Sequence, residues 1–436
     1  MAPRNDRDRR SIVAWALYDF ANSPFTTLVI TFIYATYFTQ VMASSEERGT
    51  ILWSRGVTVT ALVVALLSPL LGALADRGGF RKLFLGISTV CCVVACLALF
   101  WVPPSRALLA LGIVVAANIA FEMGMVFYNA FLPDLAPPDR LGRVSGYGWG
   151  LGYAGGLGAL VVVLVTLVQP ETPWFGLSTE DGENIRATNL VVAGWLALFS
   201  LPLFLWVRED KSAISRGGNS VREAYKQLGR TFSSIQKYRQ IVRLLVARML
   251  YNDGLVTIFA FGGIYAVGTF GFSFQEILVF GIVLNVTAGL GAVSLGFLDD
   301  LLGGKRTLEI SILGLGVATV IAVVAPSKAW LWVAGTLIGI FSGPNQSASR
   351  SLLGRFVPPE SENEFFGFFA FSGKATAFIG PLFLGIFTGV FGTQRAGIAI
   401  VVLLLFGGYL VLRGLDEEEG IRAGGRDLLA GRSDEA

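Results

Sequence analysis

Twelve apolar runs, most of them near the roughly 20 residues needed to cross a hydrocarbon core about 30 Å thick, divide this chain from end to end. They fall at about 11–42, 51–75, 83–102, 107–132, 144–169, 188–207, 244–269, 275–298, 307–325, 328–349, 365–391 and 395–412. Within a bilayer every backbone N–H and C=O must be satisfied by the segment itself, so runs of this length are read as helices. The expected fold is an all-α membrane protein with twelve transmembrane helices. Composition agrees: 15% of the 436 residues are charged, against about 25% in soluble chains. The 53 glycines suit helices that approach closely through small residues. The first run is too long for one straight span, so part of it should lie in the interface or protrude.

Charge orients the spans. The loops after runs 2, 4, 6, 8 and 10 carry Arg77, Arg81 and Lys82, then Arg140 and Arg143, then Lys211 through Arg243, then Lys305 and Arg306, then Arg350 and Arg355. The alternate loops hold Glu46, Glu47, Glu171, Glu180, Asp181 and Glu183. Basic loops stay inside, which puts both termini in the cytoplasm, consistent with an even span count. Arg4, Arg7, Arg9 and Arg10 precede the first run, which lacks a small-residue cleavage site. That start reads as a retained span rather than a removed signal peptide.

The domain reading follows: a 1–10 cytoplasmic tail, a six-helix bundle over 11–208, a 209–243 cytoplasmic linker, a second bundle over 244–412 and a 413–436 cytoplasmic tail. The linker holds eight Lys/Arg, and residues 221–243 could lie as an amphipathic helix on anionic lipid. A solvated linker is the alternative. The charged, Gly-containing C-terminal tail reads as disordered.

Several function classes drop out. A net charge of +3 is too small and too scattered to expect nucleic acid as a partner. There is no His, and Cys91, Cys92 and Cys96 sit within one apolar run, where thiols act as packing residues. With no metal cluster, nucleophile–base pair or phosphate-binding loop in the pattern, neither an enzyme nor a cofactor is expected.

The two halves echo one another. Tyr18-Asp19 returns as Tyr251-Asn252-Asp253, and Gly72-x-x-x-Asp76-x-x-Gly79-x-Arg81-Lys82 returns as Gly296-x-x-x-Asp300-x-x-Gly303-x-Lys305-Arg306. Asn129, Pro137-Pro138-Asp139 and Gly146 return as Asn345, Pro358-Pro359-Glu360 and Gly367. A 6+6 parallel repeat is how one large class of carriers is built, with the substrate between the halves near the midplane.

The Gly72–Lys82 stretch resembles the loop signature of the major facilitator superfamily, Gly-x-Leu-x-Asp-Arg-x-Gly-Arg-Lys, with Phe80 replacing one basic residue. More narrowly, Trp15-Ala-Leu-Tyr-Asp-Phe-Ala-Asn-Ser23 resembles the vacuolar, autophagy-related amino-acid effluxer branch. Arg350-Ser-Leu-Leu-Gly-Arg-Phe-Val-Pro-Pro359, Glu364-Phe-Phe-Gly367 and Ser372-Gly-Lys374 carry the same likeness. The resemblance covers the whole chain and implies the major facilitator fold with alternating access. The loop motif also has a physical reading. A carboxylate at Asp76 or Asp300 can pair with a basic group such as Arg81 or Lys305, or meet the positive N-terminus of a helix from the other half. Such a contact can act as a cytoplasmic gate, whereas a purely topogenic cluster is the bland alternative.

Ionisable groups at mid-bilayer cost about 2.5–3.5 kcal/mol on insertion scales, so each needs a reason. Counted from the basic edges at about 1.5 Å per residue, Asp19, Glu122, Asp253 and Lys374 all lie roughly 14–18 Å deep. Asn22, Ser23, Asn118, Asn252, Asn345 and Gln346 stand on nearby turns. A zwitterion needs both kinds of partner: Lys374 could take a carboxylate, and Asp19 or Asp253 an ammonium. A carboxylate left over, such as Glu122, could carry a proton. The alternative is a buried ion-pair network that only fixes helix register. Gly148, Gly150, Gly152, Gly155, Gly156 and Gly158 read as packing residues, and Gly380-Pro381 as a bend.

The leading expectation is a secondary transporter exporting small zwitterionic solutes such as amino acids, with proton coupling as an option. Its partners would be the lipid bilayer, a small-molecule substrate and protons, and it would work as a monomer in the cell inner (plasma) membrane, or the vacuolar membrane in a eukaryote. The competing readings are an exporter of amphipathic drugs or lipids, which the 33 Phe would suit, and a transport-dead receptor or scaffold.

Overall fold

A computed structural model describes residues 4–209, 221–233 and 236–425. Among these residues the regular structure is helical, with no strand. In chain order the main helices are α1 Arg4–Pro24, α2 Glu46–Gly78, α3 Arg81–Phe100, α4 Ala107–Ala130, α5 Leu141–Val163, α6 Glu183–Trp206 and α7 Val221–Ser233. They continue with α8 Arg239–Phe270, α9 Phe274–Leu302, α10 Gly304–Val324, α11 Lys328–Phe356, α12 Glu362–Lys374, α13 Ile379–Phe391, α14 Gln394–Arg413 and α15 Glu417–Gly424.

Among the described residues eleven helical stretches are long and apolar enough to cross a membrane. The remaining expected span, 328–349, lies in α11, which falls outside that set. Its apolar run is diluted by Lys328, Trp330, Trp332, Gly335, Gly339, Gly343, Pro344 and Asn345. The overlong first run is resolved by loosening: beyond Pro24 the helix widens into i→i+5 turns over Phe25–Phe32, breaks at Ile33 and widens again over Phe38–Met42.

The described chain separates into two compact units, bounded as Met1–Leu67, Gly79–Tyr128 and Leu151–Lys211 for the first, and Ser68–Gly78, Asn129–Gly150 and Ser212–Ala436 for the second. The boundary does not follow the halves of the sequence. The ends of α2 and α4 and the first turns of α5 belong with the second unit.

In the first unit, the helical stretch that continues beyond α1 carries Phe25, Leu28, Tyr34 and Phe38 into a core with Cys92, Cys96, Ala117 and Leu196. Cys91 is exposed. The glycine-rich α5 lies flat on α1. A Cβ at Gly155 would overlap the Phe20 carbonyl, and one at Gly152 would press on Ser23. Trp195 of α6 closes the contact, stacking on Phe20 at 5.2 Å and donating Nε1–H to the Phe20 carbonyl at 3.1 Å.

In the second unit, small residues again set the spacing. Gly343 of α11 meets the backbone of Ala288 on α9, and Gly408 of α14 meets Tyr251 on α8. The tail, expected to be disordered from 413, instead forms α15 over Glu417–Gly424, with Ile421 buried and Gly424 against the Phe356 carbonyl. Residues 426–436 lie outside the described part.

Candidate functional site: capped helix ends and a broken helix

The repeated loop motif forms two matching constructions, both within the second unit. Asp76, in the last turn of α2, accepts the backbone N–H groups of Asn363 at 3.0 Å and Glu364 at 2.8 Å, and the Asn363 side-chain amide at 2.6 Å. These donors open α12, whose own N-cap, Ser361, makes no side-chain cap. Asp300, in the last turn of α9, accepts the N–H groups of Gly142 at 2.8 Å and Arg143 at 3.2 Å, which open α5, and the Arg143 Nε–H at 2.5 Å. Each motif aspartate thus caps a helix supplied by the other half of the sequence. A carboxylate at a partly buried helix N-terminus contributes up to about 2 kcal/mol.

The motif glycines explain themselves here. Gly79 and Gly303 adopt φ of 61° and 90°, in the left-handed region that glycine enters without penalty. Gly72 and Gly296 admit the partner helix: a Cβ on Gly72 would overlap the Asn363 carbonyl, and Gly296 lies against Gly142 and Gly146. The later echo, Gly146 with Gly367, supplies the reverse contacts. Gly146 meets Ala292, and Gly367 meets Ser68 and Pro69.

The two ends are not equally reinforced. Around Asp300 a buried guanidinium, Arg355, reaches Asp299 at 2.5 Å, Asp300 at 3.6 Å and Glu417 at 3.8 Å, and donates Nε–H to the Pro138 carbonyl at 3.1 Å. Ser351 also bonds Asp299. Glu417 in turn caps α10 through the N–H groups of Gly304 at 2.9 Å and Lys305 at 3.0 Å. Lys305 does not turn toward Asp300. Its ammonium meets Glu309 at 3.8 Å and the Arg413 carbonyl at 3.1 Å. Nearby Arg350 donates to Ser145 at 2.9 Å and to Asn129 at 3.1 Å. Arg81 is buried in the first unit.

At the Asp76 end the linker takes part. Gln227 of α7 accepts from Arg77 Nε at 2.7 Å and donates to the Glu364 carboxylate at 2.5 Å. Here the linker helix binds protein through its polar face, beside the very helix end that Asp76 caps.

A second construction interrupts span 11. α12 ends at Lys374, residues 375–378 are irregular, and α13 begins at Ile379. Of the first donors of α13, Ile379 N–H reaches the Thr376 carbonyl at 2.9 Å and Leu382 N–H the Phe378 carbonyl at 3.0 Å, while Pro381 has none to satisfy. Gly380 N–H alone turns outward, to the Asp253 carboxylate at 2.8 Å. The carbonyls at the end of α12 are met from α8 as well: Arg248 donates to Phe369 at 3.1 Å, and Asn252 to Gly373 at 3.3 Å. One face of α8, Arg248, Asn252 and Asp253, therefore stitches both sides of the break.

The sequence-derived site residues divide between the units. Asp19, Asn22 and Glu122 belong to the first, where Asn22 approaches Met125 Sδ at 3.4 Å and the Asp19 carbonyl accepts from Ser23 at 2.8 Å. Asn252, Asp253 and Lys374 come together at the helix break in the second. Asn345, in the same unit, is fully buried and faces Ser311 of α10 at 3.5 Å. No group of three or more metal-ligating side chains occurs among the described residues.

Residues 50–425 match the family described as vacuole effluxer Atg22 like. The chain is 27% identical over 408 residues to the uncharacterized MFS-type transporter YxiO of Bacillus subtilis (strain 168), covering 93% of this chain and 94% of that one. It is 21% identical over 425 residues to autophagy-related protein 22 of Coccidioides immitis (strain RS), covering 80% and 69%. Among solved structures the proton:xylose symporter XylE superposes with a TM-score of 0.73 at 14% identity, covering 95% of this chain and 97% of that one. The E. coli fucose:proton symporter FucP gives 0.72 at 14%, covering 94% and 98%. At such identities the structures establish the fold alone. The match over most of the chain, joined to the repeated aspartate-capped helix ends, makes this protein a member of the Atg22-like branch of the major facilitator superfamily of membrane transporters.

Proposed function

We propose that the protein exports small zwitterionic solutes such as amino acids by proton-coupled alternating access through twelve spans with both termini in the cytoplasm. The observation that carries the alternating-access part is the pair of matched latches, Asp76 on α12 and Asp300 on α5. Each is made of a few charge-assisted hydrogen bonds to a helix end, strong enough to hold one state and weak enough to release. On the side that the charge pattern assigns to the cytoplasm, these bonds form the closed gate.

The solute class rests on the charges carried at mid-span depth. Lys374 is assigned to a substrate carboxylate, Asp19 or Asp253 to an ammonium, and Asn22, Asn252 and Asn345 to neutral polar contacts, with Glu122 as the proton carrier. The protein would serve as a monomer in the inner (plasma) membrane.

The test is a screen of labelled amino acids loaded into proteoliposomes, with efflux followed under an imposed pH gradient. Saturable efflux that accelerates when the opposite side is acidified supports the reading. Movement of amphipathic cations alone, with no amino acid moved, would replace it by a drug exporter.

A further inference from the structure

We infer that the Asp253 carboxyl is a proton site whose ionised form holds the second half of the broken helix, α13, onto α8. This deepens the reading of the chain as a proton-coupled transporter and rests on it for its role in the cycle. It moves the proton from Glu122 to Asp253, and so leaves the ammonium of a substrate to Asp19.

Three observations lead here. First, Asp253 is 1% exposed, on α8. Among the described residues no ion pair reaches Asp253. Secondly, its two oxygens differ. Oδ2 accepts the Gly380 N–H, whereas Oδ1 has no hydrogen-bond partner. A buried oxygen with an unengaged lone pair is where a proton can be added without breaking an existing contact. Thirdly, Oδ2 holds the one donor in the first turn of α13 that has no local acceptor. Gly380 is also pressed so close that a Cβ there would overlap Thr257 Oγ1, itself bonded to the Asp253 carbonyl at 2.7 Å.

The surrounding charges are occupied elsewhere. On α8 itself, Arg248 is spent on the Phe369 carbonyl and on Ser372 at 3.2 Å, and Tyr251 bonds Ser349 of α11 at 2.7 Å. α13 carries no titratable side chain. From α14 the residues beside neighbouring Gly254 are Leu404 and Leu405, while Arg395 of that helix donates to the carbonyls of Val323 and Ala325. The remaining cation on the broken span is Lys374, the last residue of α12, which has a partner of its own.

The step is a simple protonation. A hydronium ion gives its proton to Oδ1 and leaves as water, and Oδ2 becomes a neutral carbonyl oxygen. The Gly380 N–H then loses a charge-assisted bond and keeps a neutral one, roughly half as strong. The positive end of α13 loses its counter-charge. α13 is thereby loosened about the 375–378 break when Asp253 is protonated and pinned when it is ionised.

Hydrogen–deuterium exchange of the full chain in nanodiscs tests this without any substrate, so its outcome is separate from that of the amino-acid screen. Peptides spanning 371–384 are followed between pH 5 and pH 9, with labelling times scaled for the intrinsic exchange rate. The expected result is protection that falls several-fold as pH falls in the wild type, and that is low and independent of pH in Asp253→Asn. Thr257→Val removes a neighbouring bond but leaves the carboxyl, and should keep the pH dependence. Protection that is flat with pH in the wild type overturns the proposal. So does a pH dependence that survives in Asp253→Asn, or protection that follows sodium at fixed pH. The wild-type profile decides even where a variant is poorly folded.

Discussion

Asp76 and Asn363 stand 287 residues apart, yet the Asp76 carboxylate accepts both the backbone N–H of Asn363 at 3.0 Å and its side-chain amide at 2.6 Å. Asp76→Asn keeps the shape but turns a charged acceptor into a half-donor facing three N–H groups. The loss should be about 1–2 kcal/mol, moving the population with this latch open by roughly 5–30-fold. A reporter Ala73→Cys, at a fully buried position on α2, in a background lacking Cys91, Cys92 and Cys96, should then react correspondingly faster with an impermeant maleimide in inside-out vesicles. Turnover should slow, with little change in folding yield. Unchanged labelling and wild-type transport would reduce these charges to topology signals.

The Asp300 end is the more heavily built. Arg355→Ala would leave Asp299 and Asp300 buried without their shared cation. Removing one partner of such a pair costs about 3–5 kcal/mol, and thermal unfolding in detergent should fall accordingly. Arg355→Lys keeps the charge but not the fork that reaches several acceptors at once, so its stability should lie between the two. An Arg355→Ala protein as stable as wild type would contradict the geometry.

Lys374 separates a binding group from a scaffold. If it receives a substrate carboxylate, Lys374→Ala should abolish binding and leave a monodisperse, well-expressed protein. If it only neutralises a buried aspartate, stability should fall, and Asp19→Asn in the same chain should restore it. Restored stability together with full substrate binding in a double variant would end the substrate reading.

For orientation, a reporter after Ala436 or near Gly217, both outside the described residues, should be cytoplasmic. A reporter near Thr179 should be external. Labelling of a Gly217 insertion from outside intact cells would invert the topology.

The long periodic features were legible in the sequence. Apolar length and the period near half the chain pointed to the helices, and the recurring Gly-x-x-x-Asp pointed to both latching aspartates. What was not legible is whom those aspartates meet. The partners of Asp76 are largely backbone N–H groups at 363 and 364, and a backbone donor leaves no mark in a side-chain pattern. Lys305 illustrates the same limit from the other side. It is close to Asp300 in sequence, but the turn at Gly303, with φ of 90°, starts a new helix and sends its ammonium to Glu309. Arg143 and Arg355 take the carboxylates instead, and only their place in basic loops and in the family motif hinted at them. The sequence leaves the linker on lipid or in solvent because Gln227 carries no charge to suggest its bridge from Arg77 to Glu364.

The long reach of these caps also sets an order of events while the chain is being made. At about 5–20 residues per second, the ribosome delivers Asp300 roughly 8–30 s after Gly142, whose N–H lies 158 residues earlier. Through that interval the start of α5 has no carboxylate to close it, and α10 must wait for Glu417, 113 residues after Gly304. The first half can therefore insert as helices but cannot finish its ends by itself. Its last hydrogen bonds are written by the second half, so a ribosome stalled between the two leaves behind helices with open ends.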